Sequence, residues 1–87
     1  MANHKSALKR IRQSERRRKR NQHIRTRMRT VVKRCRDAFD SGDAGRASEA
    51  FAHAEREIRR AATKGVIPKQ RADRSISRLA RRLNAVS

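Results

Sequence analysis

The sequence predicts an all-α protein, a three-helix bundle with a long first helix whose N-terminal half projects as a basic arm. Apolar residues recur at intervals of three and four in three separate stretches, which is the spacing of one face of an α-helix. No segment alternates apolar and polar residues over several positions, so β-strands are not expected. The 87 residues are expected to form a single domain, with the arm at residues 1–23 and the bundle at residues 24–87.

The first helix is expected from about Ser6 to Asp40, a length of roughly 50 Å at about 1.5 Å per residue. Gly42 stands where a left-handed residue would end it. The apolar stripe of this helix consists of Ile24, Met28, Val31, Val32, Cys35 and Phe39. The two later helices have only about 20 residues each, roughly 30 Å. They therefore cover the apolar C-terminal half of the first helix, and the preceding residues project.

The second and third helices are delimited by residues with clear conformational preferences. Asp43 is a good N-cap for the second helix, and Lys64-Gly65 marks its end, with a cation where the helix dipole favours one. Pro68 is expected in the first turn of the third helix, where its missing N–H costs nothing. The second stripe consists of Ala47, Ala50, Phe51, Ala54, Ile58 and Ala61. The third stripe consists of Ala72, Ile76, Leu79, Leu83 and Val86.

Positive charge dominates the composition. Lys and Arg number 26 against 8 Asp and Glu, which gives a net charge of +18. Residues 1–36 carry +14, residues 37–63 carry −2 and residues 64–87 carry +6. Such an excess repels itself unless a polyanion neutralises it. Because large apolar residues are also few for this length, we expect part of the chain to order only on its partner.

Other partner classes and compartments fit the sequence less well. No run approaches the roughly 20 apolar residues that cross a bilayer, and no N-terminal stretch resembles a signal peptide. The single cysteine, Cys35, cannot form an internal disulfide, which agrees with a reducing compartment. The expected location is therefore cytoplasmic, with no membrane partner.

The arm carries charge on every side. Arg16, Arg17, Arg18, Lys19 and Arg20 are consecutive, and residues 12–23 contain no apolar side chain. A membrane-surface helix needs one apolar face, and a helix in a single duplex groove needs base contacts mainly on one side. Charge on all sides instead suits a helix surrounded by phosphates, as between packed RNA helices. A solvated, disordered tail or a nuclear-type signal is the open alternative.

The residue types indicate how nucleic acid would be bound. Two phenylalanines are the only aromatic residues, so platforms that stack single-stranded bases are not expected. We expect instead that the protein recognises the backbone and the shape of structured nucleic acid. Arg outnumbers Lys 20 to 6, which favours bidentate phosphate contacts, although biased genomic base composition explains the ratio equally well. Leu8 and Ile11 lie three apart on the arm and either pack into an RNA pocket or are simply exposed.

Nothing in the sequence supports catalysis, a metal, a cofactor or a small-molecule substrate. The three histidines lie on separate segments without ligand spacing to one another or to Cys35. Because Cys35 falls on an apolar stripe, it is expected to be a buried small hydrophobe. Glu55 and Arg59 are expected to form a surface pair four residues apart.

Several stretches of the sequence resemble the bacterial small-subunit ribosomal protein S20 family. The resemblance lies in Met-Ala-Asn-His-Lys-Ser-Ala at positions 1–7, Met28-Arg29-Thr30, the turn at residues 62–69 and Ser77-Arg78-Leu79. It covers nearly all 87 residues. It implies a three-helix bundle that binds small-subunit ribosomal RNA directly and early in assembly, in its five-prime domain and near the penultimate helix of its three-prime minor domain. Other ribosomal components would be neighbours.

The resemblance also implies a set of RNA-facing residues. They are Asn3, Lys5, Ser6, Lys9, Arg16, Asn21, Arg25, Thr26, Arg29, Thr30, Lys33, Lys64, Lys69, Arg74 and Arg78. Charge alone adds Arg10, Arg12, Arg17, Arg18, Lys19, Arg20, Arg27 and Arg71. Two positions depart from the family pattern, since Pro68 replaces a frequent His and Asp73 replaces a small or basic residue. No imidazole role transfers to the first position, and phosphate contact at the second is in doubt.

Two other functions remain as alternatives to a structural ribosomal RNA-binding protein. A nucleoid-type or regulatory DNA-binding protein would share the charge, although the chain lacks a leucine zipper and an obvious recognition helix. A basic membrane-active or partner-helix peptide is the third possibility. Preference for folded ribosomal RNA over duplex DNA at matched salt separates the first two.

Overall fold

Three α-helices make up the regular structure of residues 2–86, which are the residues that the computed structural model describes. They are α1 (Ala2–Asp40), α2 (Ala44–Thr63) and α3 (Lys69–Ala85). Side chains are described for residues 4–86. The all-α prediction is confirmed, and the long first helix gives the protein a longest dimension of 66 Å against 21 and 13 Å for the other two.

The first helix begins earlier than the sequence indicated. Ser6 was expected as its first residue, whereas the helix already includes Ala2. Residues 2–5 contain neither glycine nor proline, so nothing in the local sequence stops the helix from extending toward the N-terminus.

A turn of three residues reverses the chain between α1 and α2. Gly42 has a φ of +77°, the left-handed conformation expected of it, and its N–H donates to the carbonyl of Phe39 at 3.2 Å. The Ser41 hydroxyl accepts from the N–H of Asp43 at 3.3 Å. Asp43 then caps α2, because its Oδ1 accepts from the N–H of Arg46 at 3.2 Å. Both sequence predictions for this turn are confirmed.

Helix α2 ends in a Schellman motif. Gly65 has a φ of +75°, and its N–H donates to the carbonyl of Ala62 at 3.0 Å. The N–H of Val66 donates to the carbonyl of Ala61 at 2.9 Å, and these two bonds together define the motif. Val66 and Ala61 are both buried, so the turn also places an apolar side chain against the bundle.

Pro68 precedes α3 instead of occupying its first turn. With φ of −64° and ψ of +147° it is the N-cap, and its carbonyl accepts from the N–H of Ala72 at 3.1 Å. The prediction was therefore wrong by one residue. The extended ψ explains the difference, because it lets the chain change direction just before the helix while the fixed φ of proline is kept.

The core forms where α2 lies against both α1 and α3. Three alanines of α2 at intervals of seven, Ala47, Ala54 and Ala61, are fully buried and let the neighbouring helices approach closely. Ile58 and Cys35 are the largest side chains that are almost completely buried. The three predicted stripes are confirmed as the apolar faces, although the residues nearest the arm are only half-buried. These are Ile24, Met28, Val31 and Val32.

Arg82 joins the C-terminal part of α3 to the end of α1. Its guanidinium carbon lies 5.5 Å from the centroid of the Phe39 ring, and one guanidinium nitrogen lies 3.5 Å from Oδ1 of Asp40. The ion pair is exposed, so its contribution to stability is small. Burial raises the pKa of the nearby Cys35 thiol, while the charges of Arg82 and Arg36 oppose that shift. Cys35 is thus held as a neutral, packed side chain.

Truncation of Ile58 should destabilise the bundle. Ile58→Ala is expected to lower the free energy of unfolding by about 2–4 kcal/mol, because it leaves a cavity at an almost completely buried position. Ile11→Ala removes the same atoms from an exposed position and should change the free energy by less than about 0.5 kcal/mol. Urea denaturation followed by circular dichroism measures both. Equal effects would contradict this description of the core.

Two glycine substitutions should have opposite effects. Gly65→Ala is expected to lower the free energy of unfolding by about 1 kcal/mol, because an alanine side chain is strained at a φ of +75°. Gly45→Ala lies inside α2, where the new Cβ would be 3.5 Å from Asp43 Oδ1, an ordinary contact. It should raise the free energy by up to about 1 kcal/mol. Destabilisation by both would contradict the assigned end of α2.

Candidate nucleic-acid interface

The arm leaves its charged side chains in solvent. Every side chain from His4 to Arg20 is exposed, and the helix is continuous through this stretch. Since successive residues of an α-helix are about 100° apart, the cations from Arg16 to Arg20 extend in all directions. Glu15 is the single acidic residue among the first 36. The arm is therefore a cationic rod that is accessible from every side.

A row of polar and basic side chains runs along one face of α1 toward the bundle. We name it the basic track. Its residues line one shallow depression and are Ser14, Arg17, Arg18, Asn21, Gln22, Arg25, Thr26 and Arg29. The track contains no carboxylate. It provides four guanidinium groups within four turns of helix.

The track leads into a groove between α1 and α3, which we name the α1–α3 groove. Its floor is apolar and is formed by Met28, Val32, Ile58, Ile67 and Leu79. Six cations and Ser75 complete the lining, and the cations are Arg29, Lys33, Arg36, Arg71, Arg78 and Arg82. Arg29 lines both the track and the groove. The two features are thus one continuous surface that passes from a single helix to a cleft between two helices.

Few of these cations are neutralised within the protein. Among residues 4–86, the ion pairs shorter than 4 Å are Arg59 with Glu55 and Arg82 with Asp40. Of the six cations of the α1–α3 groove, only Arg82 therefore has a carboxylate partner in the described part of the chain. The remaining guanidinium and ammonium groups are free to donate hydrogen bonds to an anion.

The structure brings together part of the predicted set of RNA-facing residues. The track contains Arg17, Arg18, Asn21, Arg25, Thr26 and Arg29, and the groove contains Lys33, Arg71 and Arg78 in addition to Arg29. Lys5, Lys9, Arg12 and Arg16 line another depression on the arm. Ser6, Arg10, Lys19, Arg20, Arg27, Thr30 and Arg74 are exposed but line neither feature. Arg27, for example, is two residues from Arg29 and so lies on a different side of α1.

Arg36 and Arg82 line the groove but were not among the predicted RNA-facing residues, although their spacing from predicted residues indicates a shared helix face. Arg36 follows Lys33 by three residues and Arg29 by seven, so it falls on the same helical row. Arg82 follows Arg78 by four residues in the same way. Both positions border an apolar stripe, and a search for cations beside the stripes would have found them.

Other predicted residues lie away from the track and the groove. Lys69 lines a depression between α2 and α3 together with Arg59 and Asp73. Lys64 is the exposed C-cap residue of α2. Asn3 belongs to α1, but its side chain lies outside the described residues. Neither Lys64 nor Lys69 lines the groove.

Hydrogen bonds within α1 limit what some polar side chains offer. The hydroxyl of Thr26 donates to the carbonyl of Gln22, and that of Thr30 donates to the carbonyl of Thr26, both at 2.9 Å. Their oxygen atoms remain available as acceptors only, which suits a ribose hydroxyl better than a phosphate. Asn21 is half-buried, and its Oδ1 has no hydrogen-bond partner.

Chemistry of other kinds finds little support in the described residues. Between residues 2 and 86, no group of three His, Cys, Asp or Glu side chains is placed to hold a metal ion. The three helices contain no stretch that is both long and apolar enough to span a membrane. The expected pair of Glu55 and Arg59 is present at 3.1 Å on the exposed side of α2.

Comparison with known proteins agrees with this geometry. A family model described as ribosomal protein S20 matches residues 2–84. A relative in Geotalea daltonii named small ribosomal subunit protein bS20 is 53% identical over 87 residues, which cover all of both chains. A protein of the same name in Syntrophotalea carbinolica is 54% identical over 99% of each chain. Another in Gluconobacter oxydans is 51% identical over 100% of this chain and 98% of its own.

Proposed function

The chain belongs to the ribosomal protein S20 family, and we propose that it is a structural component of the small ribosomal subunit that binds small-subunit ribosomal RNA directly. The observation that carries the proposal is the continuity of the basic track with the α1–α3 groove, a surface on which only Arg82 has a carboxylate partner among the described residues. The family consists of ribosomal structural proteins, and the chain is not an enzyme.

The mechanism of binding is neutralisation of phosphates on more than one RNA segment. Cations on all sides of the arm suit a position between RNA helices, where phosphates approach from several directions. The α1–α3 groove faces one way only, and its two opposing rows of cations suit a single backbone lying along it. Guanidinium groups fit this task because their planar donors engage two phosphate oxygens at once.

The fold positions the groove. Because α2 holds α1 and α3 on its two sides, residues 29–36 of α1 and residues 71–82 of α3 remain opposite each other across the apolar floor. RNA bound there would find its partners already arranged, so little ordering is needed at this end. The arm has no such support and is expected to gain its rigidity from the RNA.

The proposed RNA-binding residues extend the set predicted from the sequence. The arm supplies Asn3, Lys5, Ser6, Lys9, Arg10, Arg12, Arg16, Arg17, Arg18, Lys19, Arg20 and Asn21. The bundle supplies Arg25, Thr26, Arg27, Arg29, Thr30, Lys33, Lys64, Lys69, Arg71, Arg74 and Arg78, to which the groove adds Arg36 and Arg82. We propose residues 1–23 and 24–87 as the two functional parts of a single domain.

Finer aspects of the proposal come from the resemblance to the family. The RNA regions proposed are the five-prime domain and the penultimate helix of the three-prime minor domain, with contact early in assembly. Other ribosomal components would lie nearby, and the proposed location is cytoplasmic and ribosome-bound. We propose that the two RNA regions contact different parts of this continuous surface, one at the arm and the other at the groove.

Removing the charge of the arm should weaken the dependence of binding on salt. The variant with Gln at positions 16–20 loses five cations from the stretch with charge on all sides. A plot of log affinity against log salt concentration for the ribosomal RNA should become less steep by about 0.7–0.9 for each lost phosphate contact. Circular dichroism should show that the bundle stays folded. An unchanged slope would remove the arm from the binding site.

Removing the charge of the groove should also make RNA affinity less dependent on salt. A matched variant that loses the same number of cations elsewhere should show a much smaller change. Arg29→Gln, Lys33→Gln, Arg71→Gln and Arg78→Gln together remove four cations from the groove. Arg46→Gln, Arg56→Gln, Arg59→Gln and Arg60→Gln remove four exposed cations from α2 and leave the same net charge. The groove variant should lower the slope by about 3–4 if all four contacts are lost, at about 0.7–0.9 per contact, and the α2 variant by less than about 1.

The result with the matched variant also decides between specific and general attraction. Equal losses would mean that total charge and not the groove governs binding. Duplex DNA of the same length at the same salt concentration should bind the unaltered chain more weakly than the ribosomal RNA. Equal or tighter binding to DNA would favour a nucleoid-type or regulatory DNA-binding function instead.

A further inference from the structure

Two large apolar side chains of the arm are exposed. Leu8 is 44% exposed and Ile11 is 55% exposed, and they are the large apolar residues with the greatest exposure among residues 4–86. They lie three residues apart on α1, so their side chains are neighbours on its surface. The apolar stripe that packs into the bundle begins only at Ile24. Packing within the protein therefore does not explain Leu8 and Ile11.

The two residues share a face with the cations that are proposed to bind RNA. Ile11 and Arg29 are 18 residues apart, which is five complete turns of about 3.6 residues, so they project from the same side of α1. Leu8 lies about 60° around the helix from Ile11. Cys35, at the centre of the buried stripe, lies on a different side, about 240° from Ile11. An RNA that follows the basic track toward the N-terminus would thus meet Leu8 and Ile11.

The surroundings of Leu8 are charged. Leu8 lines a depression together with Lys5, Lys9, Arg12 and Gln13, and Arg16 completes it. Glu15 lies one turn after Ile11 on the same face and is the only carboxylate among residues 1–36. Leu8, Ile11 and Glu15 therefore combine apolar surface with a hydrogen-bond acceptor on an arm that is otherwise rich in cations.

We propose that Leu8 and Ile11 pack against an unpaired nucleobase of the bound RNA, so that the arm makes one contact that is not electrostatic. This inference rests on the proposed RNA-binding function and specifies how one part of the arm is used. Apolar side chains contact bases and wedge between base steps in nucleic-acid complexes. Glu15 repels a phosphate at this face and accepts hydrogen bonds from base amino groups, such as that of cytosine.

Charge complementarity favours RNA over other occupants of this surface. The four cations around Leu8 would each lose water against an uncharged protein surface, whereas phosphates flanking a base would pair with them. A membrane-surface helix needs an apolar face along its length, and the residues between Ile11 and Ile24 include no large apolar side chain. A second copy of the chain is an outcome that the test below detects.

The contact would also fix the position of the arm along the RNA. Cations on all sides of a rod attract phosphates almost equally well when the rod slides or turns, because the attraction is long-ranged and depends little on register. An apolar contact acts only at close approach and requires one particular base. Leu8 and Ile11 would therefore provide the register that the charges do not.

The double variant Leu8→Gln, Ile11→Gln tests the proposal. Glutamine forms helices about as well as leucine and retains much of the volume, so the arm stays helical while its apolar surface is lost. Affinity for the small-subunit ribosomal RNA should fall about tenfold at every salt concentration. The slope of log affinity against log salt should not change, since no charge is removed. Leu8→Met, Ile11→Met keeps the apolar surface and should bind within about twofold of the unaltered chain.

Three results would overturn the proposal. Affinity of the glutamine variant equal to that of the unaltered chain would show that the pair contacts no RNA. A less steep slope would show that the substitutions disturb the phosphate contacts instead. Self-association of the unaltered chain that the glutamine variant loses, measured by sedimentation without RNA, would assign the patch to a second copy. Failure of the unaltered chain to bind ribosomal RNA would refute the proposed function itself.

Discussion

Repulsion between the cations of α1 is the constraint on which the other features of this structure depend. Side chains three or four residues apart on a helix are about 5–6 Å from each other, which is less than the screening length of about 8 Å at physiological ionic strength. The cations of the first 36 residues therefore repel one another, and Glu15 is the only carboxylate among these residues. A polyanion that neutralised these cations would relieve the repulsion and stabilise the long helix. The partner proposed for the arm would therefore also contribute to the stability of the arm.

The bundle fixes the positions of α1 and α3 with a small apolar core. It has only a small set of large apolar residues, and its central helix presents alanines at positions 47, 54 and 61 to its neighbours. Small residues allow close helix packing, which is how a thin core still fixes α1 and α3 relative to each other. That arrangement matters for function because it sets two rows of cations across one groove. The bundle thus fixes the relative positions of the groove cations, whereas the arm presents its cations on all sides of a single helix.

Local sequence signals were sufficient to predict the three helices, the end of α1 and both ends of α2, because the interactions that decide them are local. Gly42, Asp43 and Gly65 act through their own φ angles and hydrogen bonds to residues a few positions away. Pro68 was misplaced by one residue because its fixed φ suits both the N-cap and the first turn, and only ψ distinguishes them. The start of α1 was placed too late because residues 2–5 contain no signal in either direction.

The groove required information that no local pattern contains. The exposure of each cation was predictable from composition, since Lys and Arg are rarely buried. That Arg36 and Arg82 line the same groove depends instead on how α2 orients α1 and α3, which is a tertiary property. In the sequence the basic residues of α1 and those after residue 63 form two separate groups, and nothing in their spacing indicates that they lie side by side. Only the packing shows that Arg29 lines both the basic track and the α1–α3 groove, and therefore that the two form one continuous surface.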